Sequence, residues 1–190
     1  KCAKEINSFL CGEYNEEISA LFSCGGGELM CEILDDVDFD KIKKSKPVWF
    51  LGYSDNTNLT FLLPTICDIT AIYSPCAPAY GMEPWHPSLK DTFELLTGKS
   101  NMAHGYDKWE KESLKNEENP LVPYNVTKKT EIKKFGAGKD DVKTEISGRL
   151  IGGCLDCLSN LAGTKFDKVS DFNEKYKEDG IIWFMESCDL

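Results

Sequence analysis

Histidine is nearly missing from this chain of 190 residues: only His86 and His104 are present. An imidazole base or a multi-histidine metal site has little to draw on. Positive charge is scarce too, with 22 Lys and Arg against 32 Asp and Glu and a formal net charge of −10. That balance excludes a nucleic-acid binder, whose phosphate contacts need a basic face. Long apolar runs are absent: the longest, residues 48–51 and 181–185, are far short of the ~20 that span a bilayer. The chain starts at Lys1 with no methionine and no apolar leader, so no signal peptide is visible. The acidic stretch 35–40 lacks the glycine and terminal glutamate of an EF-hand and reads as helix capping before Lys41. A single Cys-x-x-Cys, Cys154 and Cys157, lacks the two further ligands that zinc requires. No metal and no cofactor is expected.

Cysteine, by contrast, is plentiful. Nine residues, an odd number and mostly within apolar stretches, read as buried reduced thiols. A composition of 41% hydrophobic and 28% charged residues suits one good core or two small ones.

Helical and extended patterns alternate along the first part. Ala3, Ile6, Phe9 and Leu10 share a helical face, residues 18–24 form a short apolar strand, and Gly25-Gly26-Gly27 precedes Leu29, Ile33 and Leu34 at helical spacing. The glycine cluster leaves main-chain N–H groups open for an anion, although the spacing of a Walker or dinucleotide loop is absent. Residues 48–51 are a second strand, 58–66 a helix ended near Pro64, and 68–74 a third strand. This alternation predicts a parallel sheet with helices on its faces and a crevice at the strands' carboxyl ends, which Gly26, Gly27 and Ser54 can share. Residues 89–96 form another helix. Residues 98–145 are polar, with a charge-dense solvated face at 108–119 and an expected hairpin in 124–135. The sequons at Asn58 and Asn125 are read as accidental. From 146 a strand reaches Gly152-Gly153, a helix passes through Leu155, Leu158 and Leu161, and a buried strand, 181–185, ends on Glu186.

The step Gly52-Tyr53-Ser54-Asp55-Asn56-Thr57 after an apolar strand is the stretch with most chemistry. A serine where a strand turns sharply into a helix has its hydroxyl pushed out of the sheet, beside unpaired N–H groups that suit negative charge. Asn56 stands where a nucleophile elbow usually has its second glycine. The competing reading is a Ser-Asp helix cap.

Four segments in order resemble the LD-carboxypeptidase family of serine peptidases, which includes the microcin C immunity peptidases. They are the glycine turn with Ile33-Leu34-Asp35, the Gly52 to Thr57 step, Gly148-Arg149-Leu150-Ile151-Gly152-Gly153, and 181–186. The resemblance implies an α/β fold with a Rossmann-like N-terminal domain, here 1–97, then a connection, 98–145, and the start of a smaller mixed α/β domain, 146–190. It implies a homodimer, a cytoplasmic setting and a Ser-Glu-His triad. Ser54 matches the nucleophile and Glu186 the glutamate. The oxyanion donors would be the N–H of Asp55 and one from Gly26 or Gly27, with Gly153 and Cys154 near the substrate pocket. Many members have asparagine at the position of Cys154. The family's histidine follows its glutamate at a distance, and His86 and His104 do not match it. The chain is therefore expected to be a fragment, short at both ends, without peptidase activity by itself.

The function implied for the parent is release of terminal D-alanine from murein tetrapeptides in cell-wall recycling. The alternatives are inactivation of a microcin C-like peptide-nucleotide antibiotic, or a non-catalytic peptide- or nucleotide-binding module on the same fold. A redox protein using Cys154 and Cys157 is a further reading, which requires a low thiol pKa.

Overall fold

The structure is a computed structural model that describes residues 1–133, 135 and 145–187. It divides into two compact units: 1–77 with 147–190, and 78–146. The sequence puts its boundaries at 97 and 145; in this division residues 78–97 group with the polar stretch that follows them.

The first unit opens with α1 (Cys2–Leu10), which buries Ala3 and Leu10. β1 (Ala20–Phe22) leads through the glycine cluster to a 3-10 segment, Met30–Asp36, in place of the expected α-helix. At α2 (Phe39–Ile42), Asp38 caps the helix by accepting the N–H of Lys41 at 2.9 Å. One side-chain oxygen thereby satisfies an amide that the helix cannot. β2 (Trp49–Gly52) runs into a 3-10 turn, Ser54–Asn56, and on into α3 (Thr57–Thr60). The helical path continues past Pro64 as a wide turn, Leu63–Cys67, ending at Asp68 with φ +62°. Proline falls at the start of that turn, where its missing N–H matters least. The third expected strand is reduced to β3 (Ile72–Tyr73). β1, β2 and β3 lie side by side in that order, both pairs parallel, with Leu21 opposite Phe50 and Gly52 opposite Tyr73.

In the second unit, α4 (Pro87–Leu96) starts at His86, whose ring accepts the N–H of Ser88. β4 (Lys108–Glu110) pairs antiparallel with β5 (Val126–Lys129). Over its described residues the expected hairpin at 124–135 is thus replaced by a longer-range pair: β5 turns to the charge-dense 108–110 segment instead of to a neighbour in sequence. Ala79, Met82 and Leu89 form this unit's small core, with Tyr80 and Tyr124 against it.

The chain then returns to the first unit. β6 (Arg149–Cys154) incorporates the Gly152-Gly153 pair instead of stopping at it, α5 (Leu155–Leu161) and α6 (Val169–Lys175) follow, and β7 (Ile181–Glu186) lies parallel to β6. Cys154 stands opposite Glu186 in that pair. β7 was expected to be buried, yet Trp183, Met185 and Glu186 are exposed. Parallel strands with helical crossovers bury both faces only where helices cover both. Here Ile151, Leu161 and Phe172 enter the same core as Leu34, Ile42, Leu59, Leu62 and Leu63. Each fully buried leucine contributes about 1.5–3 kcal/mol of burial. These contacts fasten the 147–187 segment over the helix that follows Ser54.

Of the eight cysteines described, all free, Cys11, Cys67, Cys76 and Cys154 are buried, whereas Cys2 and Cys24 are exposed. The reading of the thiols as generally buried therefore holds for half of them. Cys188 lies outside the described residues. Asn58, the head of one sequon, is buried against Asp55. No helix among the described residues is long and apolar enough to cross a membrane.

Candidate active site

Ser54 sits where β2 ends and the helical path begins, with φ +62°. A residue with a Cβ in that left-handed region is strained by about 1–3 kcal/mol and holds there only when its surroundings over-determine it. Those surroundings are specific. The backbone N–H of Ser54 donates to the hydroxyl of Tyr73 at 3.0 Å, and that hydroxyl donates to Oε1 of Glu186 at 2.5 Å. The ends of β2, β3 and β7 therefore meet in one chain of hydrogen bonds.

The glycine cluster approaches from the end of β1. A Cβ on Gly26 would lie 3.1 Å from both Cβ and Oγ of Ser54, and one on Gly27 would lie 3.1 Å from Oδ2 of Asp55. Two side chains of the serine turn hold the cluster there. Asp55, buried, accepts the N–H of Met30 at 3.0 Å, and Asn56 donates to the carbonyl of Gly25 at 2.8 Å and to that of Tyr53 at 3.0 Å. Asn58 donates to Oδ1 of Asp55 at 3.1 Å, giving that carboxylate a second partner. This explains the asparagine in place of the elbow's usual glycine: its amide fastens the loop on one side as Asp55 fastens it on the other. Gly52 makes room for it, because a Cβ there would come within 2.6 Å of the Asn56 side chain.

The end of β6 closes over the helix behind Ser54. Gly153 has φ +145°, and a Cβ on it would stand 2.6 Å from Thr57 Cγ2. The next N–H, that of Cys154, donates to Thr57 Oγ1 at 2.9 Å. Cys157 directs its thiol at the carbonyl of Ser54, 3.6 Å away. Burial and the neighbouring Cys154 push the Cys157 thiol up to about 12. A redox dithiol needs the opposite shift, so Cys157 is not the activated thiolate which that reading requires. The phenol of Tyr73 is raised above its ordinary value by burial first and by its bond to Glu186 second. Tyr73 thus remains a neutral hydroxyl, able to accept from Ser54 while donating to Glu186.

Ser54, Asp55, Gly26, Gly27, Gly153, Cys154 and Glu186 are therefore gathered within the first unit. Tyr73 and Thr57 are the members the sequence reading missed. Tyr73 carried a usable signal, since it ends an alternating strand segment just where a parallel sheet presents its carboxyl edge. Thr57 carried none, because a threonine in the first turn of a helix is ordinary. Both histidines are engaged in the second unit. His86 caps α4 and packs edge-on against Tyr106 and Tyr124, with ring centroids 5.1 and 5.7 Å away. His104 bonds Asp91 Oδ2 through Nδ1 at 2.9 Å. Among the described residues, no group of three or more His, Cys, Asp or Glu could hold a metal ion.

Residues 1–74 match the family model of the LD-carboxypeptidase N-terminal domain. Nearly the whole chain is also similar to solved structures. A variant of the microcin self-immunity protein MccF in complex with adenosine monophosphate matches 97% of the chain at 26% identity and a TM-score of 0.73. MccF with glutamyl sulfamoyl guanosine matches 97% at 25% identity and 0.67. An MccF-like protein from Streptococcus pneumoniae in complex with AMP covers 98% at 20% identity and 0.66, a likeness of fold. The chain spans about half the length of these proteins: 52%, 52% and 57%. No curated protein sequence matches it.

Proposed function

We propose that the protein to which these residues belong is a cytoplasmic serine peptidase that hydrolyses the L,D-amide bond and releases terminal D-alanine from murein tetrapeptides. The observation that carries this reading is Ser54, held at positive φ between a strand and a helix, against Gly26, with its amide linked through Tyr73 to Glu186. In the reaction, Ser54 Oγ attacks the scissile carbonyl and gives its proton to a base. The resulting oxyanion is held by the N–H of Asp55 and one from the Gly26-Gly27 turn. The base then protonates the departing D-alanine nitrogen, and water releases the acyl group by the same route. The base is a histidine oriented by Glu186, and neither His86 nor His104 is assigned that role. Gly153 and Cys154, beside the nucleophile's helix, border the substrate. The 190-residue chain by itself is inactive in this reading, and the complete protein works as a homodimer.

A second reading, inactivation of a peptide-nucleotide antibiotic, is favoured by the solved relatives, whose structures hold aminoacyl sulfamoyl nucleosides or AMP. Both are tested on the full-length protein with a fluorophosphonate probe, peptide mapping and Ser54→Ala, followed by murein tetrapeptide and aspartyl sulfamoyl adenosine as substrates. Labelling at Ser54 with D-alanine release supports the first reading, and labelling with cleavage of the nucleotide conjugate alone supports the second. A folded full-length protein that takes no label is a binding module, and Ser54 is then a helix cap.

A further inference from the structure

We infer that Tyr73 is a positioning residue of this site, a single hydroxyl that fixes the nucleophile's backbone and the orienting carboxylate relative to each other. The inference rests on the reading of Ser54 as nucleophile. Three observations lead to it. First, Ser54 occupies a conformation that its own sterics disfavour, with φ +62°, and the acceptor of its N–H is not the main chain but the Tyr73 hydroxyl at 3.0 Å. Second, the same oxygen donates at 2.5 Å to Glu186 Oε1, on a residue 113 positions away in sequence and otherwise exposed at the end of β7. An exposed glutamate side chain samples many rotamers, and a short bond to a charged acceptor is among the stronger ones that can hold it. Third, the tyrosine ring is itself immobilised: it sits at the end of β3, opposite Gly52 in the sheet, and packs on Phe184 with centroids 5.3 Å apart.

The assignment of the two Glu186 oxygens follows. Oε1 is committed to Tyr73, which leaves Oε2 to orient the base. Without the tyrosine hydroxyl the serine's amide loses its acceptor and the carboxylate swings free, so that the nucleophile and the group that orients its base lose their relative placement.

The test is Tyr73→Phe in the full-length protein, followed by the rate of fluorophosphonate labelling at Ser54 resolved into its maximal rate and its half-saturating probe concentration. The expected result is a maximal rate about tenfold lower, the size of one lost charge-assisted hydrogen bond, at an unchanged half-saturating concentration and with native circular dichroism. A wild-type protein that takes no label at Ser54 disproves the nucleophile reading itself. A wild type that labels, with a Tyr73→Phe variant of equal maximal rate, overturns only the role of Tyr73. Should that variant not fold, ¹³Cζ-tyrosine NMR of the wild type and of Glu186→Gln decides. The resonance assigned to Tyr73 moves if the bond to Glu186 exists, and an unmoved Tyr73 resonance refutes it.

Discussion

Replacing Gly153 by alanine tests how the two halves of the first unit are joined. The methyl group would meet Thr57 Cγ2 at 2.6 Å and Oγ1 at 2.7 Å, and the backbone at φ +145° disfavours any Cβ. Backbone strain contributes about 1–3 kcal/mol and overpacking a similar ~1–3 kcal/mol. Separation of β6 from α3 also removes the 2.9 Å bond between the Cys154 N–H and Thr57, worth about 1 kcal/mol. A total near 5 kcal/mol lowers the urea midpoint by about 2.5 M at a slope of ~2 kcal/mol/M. Gly163→Ala is the matched control: its φ is +74°, yet a Cβ there meets nothing within 4 Å, so only the backbone cost of about 1 kcal/mol applies. Urea unfolding followed by tryptophan fluorescence and by far-UV circular dichroism measures both. Equal midpoints for the two variants would refute the close approach of β6 to the serine helix.

Three further outcomes are expected. Gly26→Ala, which sets a methyl 3.1 Å from Ser54 Oγ at an exposed loop position, lowers fluorophosphonate labelling of the full-length protein at least about tenfold; its melting temperature is unchanged, and undiminished labelling would separate the glycine cluster from the nucleophile. Cys157, with its thiol raised to about 12, is alkylated by iodoacetamide at pH 8 on the order of a hundredfold more slowly than an ordinary exposed thiol; peptide mass spectrometry that finds it modified as fast as Cys24 contradicts this. Hydrogen bonds from Tyr106 and His104 hold the Asp91 carboxyl at about 2, below the ~3.9 of an unfolded chain. Its stabilising contribution is then complete above about pH 4 and disappears as pH falls through about 2. Asp91→Asn accordingly lowers the melting temperature at pH 7 but not at pH 2, and an equal loss at both would remove the carboxylate from the account.

Much of the first unit was legible in local pattern. The strand at 49–52, the sharp turn at Ser54 and the parallel order followed from apolar runs that stop at glycine or serine, because a buried strand and a tight turn each restrict residue type strongly. The shared crevice of the glycine cluster and Ser54 followed from both standing at strand ends, and Gly26 does lie against Ser54; Glu186 was matched by family resemblance and reaches Ser54 through Tyr73. What stayed hidden depends on distance in sequence. Tyr73 reads as one more strand residue until β7 arrives beside it. The partner of β5 lies at 108–110, a segment whose charges suggested only solvent, since a half-exposed two-stranded ribbon imposes little pattern on its sequence. The exposed end of β7 was read as buried because an apolar run reports residue type and not what covers it.

The bond between Tyr73 and Glu186 spans 113 residues, and this gives the site a history during synthesis. At ~5–20 residues per second the ribosome needs roughly 6–23 s to extend from Tyr73 to Glu186. Through that interval the serine turn can form from local contacts alone, while the carboxylate that completes it does not yet exist. Closing so long a loop is also slow relative to forming helices and turns. The nascent chain therefore carries a shaped serine turn that still lacks Glu186, which joins it only when β7 docks beside β6.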